Sequence, residues 1–172
     1  GGTQSRPRDF EITVRIPAEM FVAGGKARVD LPSGKTVDVS VAANAKPGDK
    51  VRLRGQGREG PMGMDAGDAI ITLEPQANGR FRPDGADLHA DVPVSLEDVV
   101  LGAKVKVDLP EGTSAAFSLQ PGTSANKPIR LKGKGLPKAD GTRGDLYVTP
   151  RITLPDGGDP ELEALLRKRR RP

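Results

Sequence analysis

Gly55-Gln-Gly-Arg-Glu-Gly60 has the spacing of the dinucleotide fingerprint G-x-G-x-x-G, whose glycines let backbone N–H groups approach a pyrophosphate. That chemistry requires a helix immediately afterwards, because the helix N-terminus holds the phosphates. Here Pro61-Met-Gly-Met-Asp-Ala-Gly67 follows, which reads as a loop, and the related stretch from Gly133 carries Lys138 where a third glycine would fall. These glycines are therefore read as turn residues with φ > 0. His89 is the sole histidine. With no cysteine and no serine–histidine pairing in view it has no triad around it, and it falls at a polar position of a strand, so a surface role is expected. Asp84, Asp87 and Asp91 lack the spacing of a calcium loop and read as turn and strand-edge carboxylates. No catalytic residue, cofactor or metal ligand is nominated, and enzymatic activity is not expected.

Composition narrows the classes further. The absence of cysteine removes disulfides, thiol catalysis and Cys-ligated zinc together, and fits a reducing cytosol. No apolar run approaches the roughly 20 residues that span a bilayer, and no signal peptide opens the chain, so a cytoplasmic protein without a membrane partner is expected. Gly1-Gly2 without an initiating Met reads as a scar or the tail of a glycine-rich linker, which makes the chain an excised fragment. The net charge of +4 is concentrated in Arg167-Lys168-Arg169-Arg170-Arg171; the remainder is nearly balanced, which argues against a uniformly basic nucleic-acid face.

The elements that must position these residues are written twice. Asp9 to Gly57 superimposes on Asp87 to Gly135 at a constant offset of 78 positions, and Val29-Asp30-Leu31-Pro32 meets Val107-Asp108-Leu109-Pro110 letter for letter. After one deletion, Gly67-Asp68 stands opposite Gly144-Asp145. A period this long indicates two tandem copies of one small domain, each near the size at which a single core is marginal. Period-2 alternation predicts strands at Phe10 to Ile16, Ala27 to Leu31, Val37 to Val41, Val51 to Leu53 and Ala69 to Leu73. The second copy repeats them at Leu88 to Val94, Lys104 to Leu109, Ala115 to Leu119, Ile129 to Lys132 and Asp145 to Leu154. Short helical turns are expected at Pro17 to Val22 and Ser95 to Leu101, the latter capped by Ser95. A longer helix is expected from Asp159 to Arg170, with Asp159 as cap and Pro160 at the first position. The hinge between the copies is expected near Pro83-Asp84-Gly85.

Four motifs then become recognisable in order and spacing: Phe81-Arg-Pro-Asp-Gly-Ala-Asp-Leu88, Asp91-Val-Pro-Val-Ser-Leu-Glu-Asp-Val-Val-Leu-Gly-Ala-Lys-Val105, Leu131-Lys-Gly-Lys-Gly-Leu-Pro137 and Arg143-Gly-Asp-Leu-Tyr-Val148. Across essentially its whole length the chain resembles the C-terminal region of DnaJ/Hsp40 co-chaperones. The resemblance implies a mainly β fold of two tandem β-sandwich domains. It places a linker remnant at 1–8, a client-binding domain I at 9–83, a domain II at 84–157, and a C-terminal helix with a basic tail at 158–172. The chain contains no His-Pro-Asp tripeptide of a J-domain and no Cys-x-x-Cys zinc repeats, which is similar to the zinc-less class B members.

The same resemblance implies a client groove between an early strand and its hairpin partner in the first domain, lined by Ile12, Val14, Val29, Leu31 and Ile71. Its physical basis would be an edge strand that accepts an extended peptide while shallow pockets take apolar side chains. The same alternation equally describes residues that face the sandwich core. Val92 and Val107 occupy the matching places in the second copy, so the sequence does not say why one copy alone would bind. The stripe Leu162, Leu165 and Leu166 either pairs with a second chain, as the family's C-terminus does, or packs on its own second domain. The expected function is that of a co-chaperone fragment that binds unfolded polypeptides and delivers them to Hsp70 (DnaK), and it would be a homodimer if the C-terminal stripe pairs with a second chain. The alternative is nucleic-acid binding through the basic tail.

Overall fold

In a computed structural model, residues 8–62, 64–122 and 127–170 are described. The first copy comprises β1 (Phe10–Ile16), α1 (Glu19–Ala23), β2 (Gly25–Asp30), β3 (Thr36–Val41), β4 (Lys50–Leu53) and β5 (Ala69–Pro75). The second comprises β6 (Arg82–Asp84), β7 (Asp87–Ser95), α2 (Leu96–Leu101), β8 (Ala103–Asp108), β9 (Ser114–Leu119), β10 (Ile129–Leu131) and β11 (Leu146–Thr153), followed by α3 (Pro160–Arg169). Each expected strand and helix is present, with shifts of one or two residues at its ends.

Each copy pairs a larger sheet with a two-stranded hairpin. The first sheet has the order β1-β5-β4, with β1 parallel to β5, beside the β2–β3 hairpin. The second has the order β10-β11-β7-β6, with β7 parallel to β11, beside the β8–β9 hairpin. Alternation explains which face is buried: β2 and β8 both run exposed-buried along Ala27–Val29 and Val105–Val107, and β7 alternates over its whole length. Pro150 can sit inside β11 because β10 covers only Leu146 to Val148, which leaves the missing N–H of Pro150 outside that ladder. Pro83-Asp84-Gly85, expected as a hinge, forms the tight β6–β7 turn, with Asp84 opposite Asp87 and Gly85 at φ 61°. An Asp-Gly pair closes a hairpin as readily as it marks a boundary.

The Ser95 hydroxyl accepts from the Asp98 N–H at 3.1 Å, and the Asp159 carboxylate accepts from the Leu162 N–H at 3.0 Å, so both caps are made by the residues expected to make them. The buried side chains of both copies form one cluster that includes Phe21, Phe81, Leu88, Leu136 and Leu146, so neither half relies on an isolated core.

One polar device is also duplicated. In the first copy the Asp9 carboxylate accepts from the Asp68 N–H at 2.7 Å, and the Asp68 carboxylate accepts from Arg52 at 2.8 Å and from the Gly55 N–H at 2.9 Å. In the second, Asp87 accepts from the Asp145 N–H at 2.8 Å, and Asp145 accepts from Arg130 at 2.7 Å and the Gly133 N–H at 2.9 Å. The Gly133 N–H, working against desolvation and helped by Arg130, holds the Asp145 carboxyl below its ordinary range. Each clamp ties the start of the first strand to the loop that leads into the last one. It thereby fixes the wall of the site described next.

Candidate functional site

The core-facing row of β1 begins as an apolar surface that is not fully covered. Phe10, Ile12 and Val14 are half-buried, and only Ile16 is sealed, at 2% exposure. On β7 the equivalent row, Leu88, Ala90, Val92 and Val94, is buried throughout. β1 is also an edge of its sheet along its whole length, and among the described residues no second strand pairs with it, whereas β7 lies between β11 and β6 over Asp87 to His89. An apolar edge strand has both of the elements that bind an extended chain: backbone donors and acceptors for a new ladder, and a side-chain row for alternate residues.

Beside this row lies a cavity of about 580 Å³. Phe10, Glu11 and Ile12 of β1 form one wall, the β2–β3 turn at Pro32 and Ser33 a second, and the loop residues Gly57, Arg58 and Glu59 a third. The loop is pinned by backbone bonds: Arg58 N–H donates to the Arg8 carbonyl at 2.8 Å and Gly57 N–H to the Gly67 carbonyl at 2.9 Å. The turn is fixed in the same way, with Leu31 N–H donating to the Lys35 carbonyl at 2.8 Å and Gly34 at φ 88°. The site is thus apolar at its base, mixed in charge at its rim and built on hydrogen-bonded backbone, which suits binding.

The residues named from sequence separate into two groups. Ile12 lines the cavity, and Val14 continues the same row. Val29, Leu31 and Ile71 are 3%, 4% and 0% exposed; Ile71 lies opposite both Ile12 and Val51 in the middle of the sheet, so these three present almost no surface. Periodicity identifies the face a side chain points to, but not whether another layer covers that face. Phe10, Pro32, Ser33 and the 57–59 loop were not named as site residues, although Phe10 opens the same alternation as Ile12. The others come from turns, where no period exists to follow.

The remaining chemical groupings resolve locally. Gly60 runs into a bend and turn at Pro61 and Met62 rather than a helix, and the glycines of this stretch serve two different purposes. Gly55 adopts φ 72°, as expected of a turn, but Gly57 has no positive φ, and a Cβ there would lie 2.6 Å from the Asp68 backbone. Close approach, rather than handedness, selects that glycine. The His89 ring stacks on Tyr147 at 5.3 Å, with Nε2 3.3 Å from an Asp84 carboxylate oxygen, at the rim of the β6–β7 hairpin. No group of three or more possible metal ligands occurs among the described residues, and no helix among them is long and apolar enough to cross a membrane. α3 has no buried residue: Leu162 is half-buried, Leu165 and Leu166 are each 51% exposed, and Arg167, Lys168 and Arg169 occupy its last turn. Of the basic tail, Arg171 lies outside the described residues.

The family model described as the DnaJ C terminal domain matches residues 10–155. Chaperone protein DnaJ 1 of Streptomyces avermitilis is 36% identical over 139 residues, which cover 81% of this chain and 34% of that protein. Chaperone protein DnaJ of Thermotoga maritima is 38% identical over 135 residues, covering 76% and 37%. Chaperone protein DnaJ of Sinorhizobium medicae is 38% identical over 122 residues, covering 70% and 32%. The chain spans about a third of the length of the curated relatives it matches.

Proposed function

Because this chain belongs to the DnaJ C-terminal domain family, we propose that it is a chaperone module that holds unfolded polypeptide segments along β1 of the first copy. The observation that carries this reading is the half-buried row Phe10, Ile12 and Val14 on an edge strand, opening into the cavity bounded by Pro32 and Arg58. A bound segment would add a strand to the edge and place alternate apolar side chains against that row, so recognition would be of apolar extended sequence rather than of one motif. Within a longer chain, the module would pass such segments to an Hsp70 of the DnaK type. The relatives' designation as chaperones supports the role.

The test is suppression of aggregation of a chemically denatured reporter protein. Ile12→Asp and Val14→Asp place a charge on the half-buried row; some loss of Tm is expected because both side chains pack against the core, and at a temperature where circular dichroism shows each variant folded most of the protection is expected to be abolished. Val29→Asp is unsuitable, because a carboxylate at a site 3% exposed would unfold the copy and mimic the result. Protection that survives in both folded variants would remove β1 as the holding surface.

We propose further that the module pairs with a second copy through its C-terminal end. Leu165 and Leu166 on α3, with Val100 and Leu101 on α2 and Ile152 and Leu154 around the end of β11, are apolar and between 40% and 74% exposed. Isolated helices of this length are marginal in water, so an apolar face of α3 favours association. Sedimentation equilibrium of wild type and of Leu165→Asp/Leu166→Asp should give a dimer and a monomer respectively; equal masses would remove α3 from the interface.

A further inference from the structure

The second copy has wall segments at the positions equivalent to the first-copy cavity, although most of their side chains differ, and its backbone is held in the same way. Leu136 N–H donates to the Ala86 carbonyl at 2.8 Å and the Leu136 carbonyl accepts from Gly144 N–H at 2.9 Å, as Arg58 does with Arg8 and Gly67. Only the side chain differs. Arg58 is exposed at the rim, whereas Leu136 is 0% exposed and belongs to the core. The opposite wall has closed too: Pro32 is exposed, and its counterpart Pro110 is buried.

A latch spans the closed walls. Glu111, at the tip of the β8–β9 turn, accepts from Lys134 at 3.1 Å and from Arg143 at 3.2 Å, and Arg143 also donates to the Gly135 carbonyl at 2.9 Å. Desolvation would raise the Glu111 carboxyl, yet the hydrogen bonds from Arg143 and Lys134 leave it below its ordinary range, so it is ionised and both contacts are charge-assisted. In the first copy Ser33, Gln56 and Ala66 stand at these three positions, and no such latch can form.

We propose that the second copy retains the apolar subsite of the first and keeps it filled with its own Leu136, with Glu111 holding turn and loop together over it. The subsite is occupied by a tethered side chain, so at this place only the first copy presents it to another polypeptide; the second copy's remaining opening, about 460 Å³ beside Ala90, Val92 and Val107, lies further along β7. This rests on the reading of the first-copy cavity as a peptide site, and it accounts for single-copy binding by a chain whose two β1-type strands are so alike.

The experiment is a methyl-detected NMR titration of the whole chain with a short apolar peptide carrying a central leucine. Wild type, Leu136→Ala and Glu111→Ser are compared, reading Ile12 and Val14 for the first copy and Leu88 and Val92 for the second. Glu111→Ser leaves Leu136 in place, so it reports even if the cavity left by Leu136→Ala prevents folding. The expected result is a response at Ile12 and Val14 alone in wild type, joined by Leu88 and Val92 in the variants, with the stoichiometry doubling in Leu136→Ala. Equal response of both copies in wild type, or silence of Leu88 and Val92 in the folded variants, overturns the proposal. Silence of Ile12 and Val14 with a response at Leu88 and Val92 in Leu136→Ala would instead overturn the first-copy reading and leave the closure standing.

Discussion

Gly144→Ala is expected to unfold the second copy. A Cβ on Gly144 would fall inside van der Waals contact with the Ala86 carbonyl and lie 2.9 Å from an Asp87 carboxylate oxygen. Neither neighbour can yield. The Ala86 carbonyl accepts the Leu136 N–H, and Asp87 accepts the Asp145 N–H, so moving either opens the loop and the strand entry together. The conformation of Gly144 is not the obstacle, since it has no positive φ; the obstacle is the distance between two backbone segments. Mutations that force such a separation are among the few that cost more than about 4 kcal/mol. For a chain of this size that corresponds to a fall in Tm of roughly 10 °C or more. Gly67→Ala should do the same to the first copy, where the Cβ would meet the Arg8 carbonyl. Thermal melts by circular dichroism check both, and a Gly144→Ala protein that melts with wild type would show that the loop and the β7 entry can part at little cost.

Asp68→Ala is expected to rank next, and to cost more than the matching Asp145→Ala. The Asp68 side chain is 6% exposed and the Asp9 side chain beside it 0%, while their partner Arg52 is 21% exposed. Removing Asp68 also leaves the Gly55 N–H without its carboxylate and takes from Arg52 its shorter ion pair, the Asp9 contact at 3.3 Å remaining. Breaking an ion pair whose carboxylates are buried is more destabilising than breaking an exposed one, because the carboxylate left behind keeps its desolvation penalty. In the second copy Arg130 is 58% exposed, so water replaces much of what Asp145 provides, and the loss is correspondingly smaller. Urea unfolding of the two variants side by side measures the difference; equal midpoints would mean that burial of the first clamp adds nothing.

Much of this architecture was legible in the letters. Strands such as β2 and β8 declare themselves by alternation because one face is buried and the other wet, and Asp159-Pro160 marks the start of α3 by capping chemistry alone. The parallel pairing of β1 with β5 was not legible, since residues far apart in sequence leave no local period. The candidate site was half legible for the same reason. Ile12 and Val14 share a face with Ile71, but whether that face is open depends on what the β2–β3 hairpin covers. The contrast between Arg58 and Leu136 lies in plain view in the aligned copies, yet it acquires meaning only once both residues are seen on the same backbone hydrogen bonds.

The parallel pairing also has a consequence for synthesis on the ribosome. Phe10 finds its partner at Ala69, and Leu88 finds its partner at Leu146, so neither copy can complete its larger sheet until nearly all of that copy has left the exit tunnel. Such non-local closure is slow compared with helix or hairpin formation. The β2–β3 hairpin can form as soon as Val41 emerges, whereas β1 must wait, apolar and without a neighbour, for β5 to be made. During that interval the nascent strand that lines the proposed groove is itself an unfolded segment of the kind the finished groove would hold.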